Sequence, residues 1–581
     1  MLRPNILFIL IDDMGWSDIG PFGSTFYETP HLDAFANESM KFTDAYAACP
    51  VCSPTRASIL TGKYPARVGI TNFIGGNNEG KLCDVPYLHY LPLEEKTIAT
   101  ALKEGGYKTY HVGKWHLGSE PYWPEHHGFD INIAGCDWGA PRTYFSPYGN
   151  PRLKEGPAGE YLTDRLTDEA IRLIHESGES PFFMYFSHYA VHIPIQSPPD
   201  LVQKYQSKAK ALGLDQLTTF EIGEKMPFVR GKDLHVRRRL LQSDPGYAAM
   251  IENLDTNIGR LLNALERSGK KENTIVIFFS DNGGLSTAES SPTCNAPLSE
   301  GKGWMYEGGT REPLLIRWPG KVPAGTICNI PVTSTDFYPT FLEAAGLPLI
   351  PDQHCDGKSI LPLLRGETVI ERDALFWHYP HYSNQGGTPG SSIRMGEYKL
   401  IECFEDKHVE LYNLANDIGE KTNLAETFPE ITRRLLECLH EWQQSIEAKI
   451  PPPHPDYPHN FSPQYSVAEY QFYENEEGII CTQMHLTPTN PELYEIPIAE
   501  ILEEYLETPI ELRVRSERYF GILHRDDTGN VFFDDSHLEK RINLKLLLQS
   551  LLSRPIRMKA WQMVDPQFQP LDPPRFLIAF E

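Results

Sequence analysis

Apolar runs alternate with helix-period segments along the first 320 positions, the pattern of a mostly parallel sheet with helices on both faces. Four of the runs end in polar residues. Asn5 to Ile11 ends at Asp12-Asp13, and Tyr107 to Val112 leads into Gly113-Lys114-Trp115-His116. Phe182 to Phe186 leads to His188 and His192, and Thr274 to Phe279 ends at Ser280-Asp281-Asn282-Gly283. In open α/β sheets ligands bind outside the carboxyl ends of the strands, so these tails are expected to converge. Taken singly each has a plain reading, since Asp-Asp or Asp-Asn-Gly after a strand is most often a turn. After Pro319-Gly320 the pattern changes: residues 371–450 mix short strands such as Lys399 to Cys403 with a helix near Glu430 to Ile446.

The segment Ile450-Pro451-Pro452-Pro453-His454-Pro455 opens a Pro-rich linker. Beyond it the pattern predicts a helix over 497–508 and a hairpin from Leu512 to Phe533 across Asp526-Asp527-Thr528-Gly529. A helix from Leu544 to Leu552 and a strand from Ile556 to Val564 follow. The expected organisation is therefore an α/β domain over 1–370, which carries the four polar strand ends, and a subdomain over 371–450. A linker over 451–490 and a small α+β appendage over 491–581 complete it.

Composition changes this picture in three ways. A net charge of −25 over 581 residues argues against nucleic acid and anionic membranes as partners, so an anionic substrate needs a local basic pocket. The N-terminal apolar run is too short for a signal-peptide core, and no run approaches the ~20 apolar residues that span a bilayer. A cytoplasmic location with no membrane association is the expectation. Ten cysteines without regular spacing give no disulfide framework. Cys49 and Cys52 form a C-x-x-C pair, but no second pair completes a zinc site and no clear strand leads into it.

The chemistry centres on Cys52-Ser53-Pro54-Thr55-Arg56-Ala57-Ser58-Ile59-Leu60-Thr61-Gly62. Pro54 suits the first helical position and Gly62 the residue past the helix end. Cys52 then sits at the positive end of the helix dipole with Arg56 one turn on, a place that favours negative charge on the thiol or on a bound anion. Asp12, Asp13, Asp281 and Asn282 offer hard oxygen donors, which suit Ca²⁺ or Mg²⁺ and not Zn²⁺.

The Cys52 segment resembles the type I sulfatase signature C-x-P-x-R, and Gly106 to His116 resembles the second signature of that family. Gly301-Lys302-Gly303 with Glu307-Gly308-Gly309-Thr310-Arg311 is similar to its lysine-bearing segment. The likeness extends over about residues 4 to 455. It implies an alkaline-phosphatase-like fold: a large, mostly parallel mixed sheet flanked by helices, with a smaller C-terminal antiparallel sheet and helix. It also implies that Cys52 is oxidised to formylglycine by a separate maturation enzyme. An oxygen of the hydrated aldehyde would suit the hard metal where a thiolate would not. By matched position, Asp12, Asp13, Asp281 and Asn282 with position 52 would hold the metal, usually calcium. Arg56 would stabilise the ionised hydrate, Lys114 and Lys302 would clamp sulfate oxygens, His192 would protonate the leaving alcohol and His116 would take a proton from the hydrate. Trp377, His378, His381 and Arg394, on a Gly- and Ser-rich stretch, could read the alcohol part of the substrate or form an ordinary polar loop. The implied activity is hydrolysis of an aryl sulfate or a small sulfated carbohydrate. A phosphonate monoester or phosphodiester hydrolase is the nearest alternative, and a catalytically dead carbohydrate-binding relative a remoter one.

Overall fold

The computed structural model describes residues 3–231 and 234–455 and, beyond these, strand segments between 467 and 580. It divides into two units, Met1–Pro455 and Asp456–Glu581.

In the first unit the chain forms β1 (Asn5–Ile11), β2 (Met40–Tyr46), β3 (Lys108–Gly113), β4 (Ile131–Ile133) and β5 (Phe182–Ser187). A separate two-stranded ribbon of β6 (Phe220–Lys225) and β7 (His235–Arg239) follows. Then come β8 (Thr274–Ser280), β9 (Arg311–Arg317), β10 (Thr326–Cys328) and β11 (Val332–Thr333). The central sheet runs β10-β2-β9-β8-β1-β5-β3-β4, with β11 also on β2. β8, β1, β5, β3 and β4 are mutually parallel, whereas β9 is antiparallel to both β8 and β2.

β1 lies at the centre and is buried along its whole length, as a continuous apolar run in a sheet covered on both faces requires. Alternation along it feeds two cores. Leu7, Ile9 and Ile11 join the helices Leu162–Glu176 and Pro245–Arg267 on one face. Ile6, Phe8 and Leu10 join Ile98–Glu104, Phe337–Ala344 and the helix Cys52–Thr61 on the other. In-register parallel pairing, with Leu10 opposite both Ser187 and Phe279, brings the carboxyl ends of β1, β5 and β8 to one level. β3 joins through Gly113 opposite Ser187.

A second, antiparallel sheet follows: β12 (Leu375–Tyr379), β13 (Gly390–Met395), β14 (Tyr398–Cys403) and β15 (Val409–Asn413). Leu435 and Leu439 of the helix Pro429–Ser445 cover Ile393, Leu400 and Leu411. The loop expected from Trp377 to Arg394 is confined to residues 380–389, which carry His381. Trp377 and His378 lie on β12 and Arg394 on β13, because small Gly and Ser residues pair in the ladder as well as they turn.

The stretch expected as a linker over 451–490 carries two strands, Val467–Asn475 and Gly478–Met484, of a nine-stranded sheet in the second unit. The strand Pro555–Gln562 lies where Ile556–Val564 was expected. Glu517–Arg525 pairs with Val531–Asp535 around 526–529, and Pro509–Val514 forms a further antiparallel pair with Glu517–Arg525. Of the helix expected over 497–508, Pro497 instead ends the strand Leu493–Pro497 and the rest lies outside the described residues. The helix expected over 544–552 also lies outside them. Among the described residues no helix is long and apolar enough to cross a membrane.

Candidate active site

The helix Cys52–Thr61 is buried throughout and starts two residues earlier than Pro54 at its first position would require. Val51 is the extended N-cap. Pro54 is still tolerated, because the first-turn N–H groups have no intrahelical partner to lose. Gly62 closes the helix at φ 69°, where a Cβ would lie 2.4 Å from that of His354. The Cys52 thiol therefore points from a helix N-terminus, with Arg56 on the same face.

Arg56 is fully buried and ties the strand ends together. Its Nε and Nη2 donate to Asp281 Oδ2 at 2.9 and 2.6 Å, and its Nη1 donates to the Lys114 carbonyl at 3.1 Å and to Ser187 Oγ at 2.5 Å. Nη2 also lies 3.6 Å from Asp12 Oδ1. Lys114 Nζ reaches both Asp12 oxygens at 2.9 and 2.7 Å. Lys302 Nζ lies 2.7 Å from Asp13 Oδ2 and 3.0 Å from His192 Nε2. Asn282 Nδ2 donates to Asp13 Oδ1 at 2.8 Å, while its buried Oδ1 has no partner.

Ligand atoms of Asp12, Asp13, Cys52 and His192 lie within 4.8 Å of one another. Three acidic side chains, of Asp12, Asp13 and Asp281, thus face three basic ones, Arg56, Lys114 and Lys302. Burial raises Asp12 above the usual carboxylate range, while the Lys114 ammonium on both its oxygens works the other way and favours the ionised form. Burial would also raise Asp13, but His192 and Lys302 outweigh it and hold that carboxyl well below the usual range. The carboxylates and the unpartnered Asn282 Oδ1 form a hard-oxygen donor set that fits Ca²⁺ or Mg²⁺. Asp13 and His116 hold positive φ of 61° and 57°, sparsely populated for residues with a side chain, and both belong to this cluster.

His116 completes the far wall. Its Nε2 lies 3.2 Å from the Ile74 carbonyl and its Nδ1 has no partner. Burial first and Lys114 second push it well below the ordinary histidine range, so it is neutral with Nε2 carrying the hydrogen and Nδ1 the free lone pair. His192 donates from Nδ1 to the Ile193 carbonyl at 2.8 Å, leaving Nε2 toward Lys302 and Asp13.

Three expected substrate-reading residues are engaged elsewhere. His378 is buried between Ser391 Oγ, 2.7 Å from Nδ1, and the Lys449 carbonyl, 3.1 Å from Nε2. Arg394 pairs with Asp44 at 2.7 Å and with the Tyr46 hydroxyl. His381 is held between Asp84 and Thr71, 2.5 and 2.8 Å away, beneath the segment whose Ile74 meets His116. Cys49 is buried beside Trp377 and Tyr46, and burial pushes its thiol up, away from redox chemistry.

Sequence reasoning missed three groups. Ser187 is a strand-end residue that the same convergence rule would have flagged. Tyr144, whose hydroxyl donates to the carbonyls of Tyr189 and His192 at 2.6 and 2.8 Å, lies in irregular chain with no period to read. Glu312 on β9 is fully buried with neither oxygen partnered, and burial together with Asp281 raises it well above the carboxylate range, so it stands as a neutral acid. A charge inside an apolar strand was its only signal.

Residues 4–347 match the sulfatase family, and residues 301–445 match the C-terminal region of N-sulphoglucosamine sulphohydrolase. The chain is 34% identical over 506 residues to a sulfatase of Formosa agariphila, covering 74% of this chain and 85% of the relative. It is 32% identical over 500 residues to human N-acetylgalactosamine-6-sulfatase, with 77% and 86% covered. The solved structure of Ps i-CgsB in complex with k-i-k-neocarrahexaose aligns at a TM-score of 0.60 and 28% identity, over 76% of this chain and 92% of that one. With the matched region spanning every strand that delivers the cluster around Cys52, the chain belongs to the sulfatase family of sulfuric ester hydrolases.

Proposed function

We propose that the protein hydrolyses a sulfate monoester of a small saccharide, with Cys52 converted to formylglycine by a maturation enzyme and one Ca²⁺ or Mg²⁺ bound. The observation that carries this reading is the gathering of Arg56, Lys114 and Lys302 with Asp12, Asp13, Asp281 and Asn282 around position 52. The carbohydrate assignment draws on the relative named N-acetylgalactosamine-6-sulfatase and on the solved structure in complex with k-i-k-neocarrahexaose.

Asp12, Asp13, Asp281 and Asn282 would hold the divalent cation, which would supply positive charge to offset the negative charge that develops in the reaction. The hydrated aldehyde at position 52 supplies two hydroxyls, one to attack sulfur and one through which sulfate is expelled. Lys114 pairs with Asp12 and Lys302 with Asp13. With those carboxylates holding a cation, both ammonium groups would be free to hold sulfate oxygens. Arg56 stays behind the nucleophile, fixed by Asp281 and Ser187. A proton at His192 Nε2, oriented by the Nδ1–H bond to Ile193, goes to the leaving alcohol oxygen as its S–O bond breaks. The unpartnered Nδ1 of His116 takes the proton of the second hydroxyl.

The test combines chemistry with turnover. Mass spectrometry of the Cys52 peptide should show the thiol replaced by an aldehyde, and Cys52→Ala should abolish hydrolysis of sulfated disaccharides and of aryl sulfates while leaving the melting temperature unchanged. Near-normal turnover by Cys52→Ala would refute the nucleophile assignment.

A further inference from the structure

Segment 136–144 joins the two histidines of the site. At one end the His116 N–H donates to the Cys136 carbonyl at 3.1 Å. Gly139 packs against the His116 ring so closely that a Cβ there would lie 2.6 Å from Cε1. At the other end the Tyr144 hydroxyl is fixed to the carbonyls of Tyr189 and His192, and Gln196 Oε1 accepts from Thr143 Oγ1 and Tyr144 N at 3.0 and 2.9 Å. The arch is therefore anchored to both proton-transfer residues.

Between these anchors the arch carries Trp138 and Arg142. Trp138 is half-buried and leans on the core of the first unit. The Arg142 guanidinium lies 4.7 Å from its ring centroid, a cation–π distance. Arg142 is exposed, and among the described residues it has no ion pair and no side-chain hydrogen bond. In contrast, Arg56, Arg238 and Arg239 are each tied to a carboxylate. In a chain of net charge −25 this leaves a cation without a counter-charge among the described residues, pre-oriented by stacking and three positions along the segment from Gly139, which packs on His116. A guanidinium so placed presents its N–H edge for bidentate recognition of a tetrahedral oxyanion.

We propose that Trp138 and Arg142 form a subsite for a second sulfate group of the saccharide, on the side from which the alcohol leaves. This rests on the sulfate-ester reading of the site. The scissile sulfate occupies the Lys114 and Lys302 cluster, the sugar lies against the free part of the indole, and Arg142 takes the second sulfate. Arg142 touches none of the reacting atoms, so it sets specificity without taking part in bond breaking.

The probes are a disaccharide with one sulfate, the same disaccharide with two, and 4-nitrophenyl sulfate. The mature enzyme should favour the disulfated sugar in kcat/KM by about tenfold or more, the size of one charge-assisted bidentate contact. Arg142→Ala should bring that ratio close to one, Arg142→Lys should restore part of it, and aryl sulfate turnover should hold within about twofold. The same preference should appear in calorimetric Kd values on Cys52→Ala protein, with and without Arg142→Ala. Absence of turnover on all three probes would overturn the proposed function alone, and the binding arm still decides the subsite. The inference fails if the unaltered arch shows no preference for the disulfated sugar, if Arg142→Ala keeps that preference, or if it loses aryl sulfate turnover in parallel.

Discussion

A single side chain, Asn282, bears on how the carboxylate cluster would hold a cation. Its Nδ2 is bonded to Asp13, and its Oδ1 is buried without a donor among the described residues. A cation placed among the carboxylates would satisfy that oxygen, which turns a local defect into affinity. Asn282→Ala should weaken Ca²⁺ binding by about tenfold or more, in the range seen when metal-site partners are removed. It should lower kcat/KM in step, and adding excess Ca²⁺ should recover part of the activity. Calorimetric titration of both proteins checks this, and equal affinity would eliminate Oδ1 as a ligand. Asn282 could be named from sequence because it follows a buried strand. The missing hydrogen-bond partner could not, since it depends on where Lys302 and Asp13 settle.

At the scale of elements, the site exists because parallel strands end in register. Gly113 shows how tight that register is: it sits at φ 103°, and a Cβ there would lie 1.7 Å from the Ser187 carbonyl oxygen. That same oxygen accepts the Lys114 N–H at 2.8 Å, and Ser187 Oγ accepts from Arg56. Gly113→Ala must therefore push the end of β3 away from β5 and move Lys114 and Arg56 with it. Such a change should cost more than about 2 kcal/mol in urea unfolding, from the left-handed backbone and the clash together. It should also lower kcat/KM at least about tenfold through misplacement of the cations. A variant as stable and active as the wild type would mean that the two strands are not locked there. The four strand tails were legible because apolar runs and their polar ends are local features that topology forces together. His378 and Arg394 were not, because a run such as Gly390-Ser391-Ser392 reads as loop until its ladder partners on β12 and β14 are known. Trp138 and Arg142 carry no periodic signal at all, and only the two anchors of their segment reveal them.

At the scale of the molecule, both family matches fall within Met1–Pro455, so the chemistry belongs to the first unit. That unit also buries histidines whose protonation couples its stability to pH. His127 has neither ring nitrogen partnered and packs tilted against Trp115 with centroids 5.4 Å apart, and burial pushes it down to about 4. His111 lies in the same aromatic cluster, and burial pushes it down to about 3. Between these values and the ordinary 6.5 the unfolded chain binds a proton that the folded chain refuses. Each ring therefore withdraws up to about 1.4 kcal/mol per pH unit as pH falls below 6.5. Asp18 and Asp255 act in the opposite sense. Burial raises both to about 6, so the folded state takes up their protons first and gains stability as pH falls from there toward the unfolded value of 3.8. The net curve mixes the two, and a difference measurement isolates one histidine. His127→Phe keeps the ring against Trp115 and removes the titration, so its melting temperature should fall less than that of the wild type between pH 7.5 and pH 5.0. The two proteins should differ most near pH 5, where His127 is neutral in the folded chain and charged in the unfolded one. Parallel curves would show that His127 is protonated in place, which its burial among aromatic rings without a hydrogen-bond acceptor argues against.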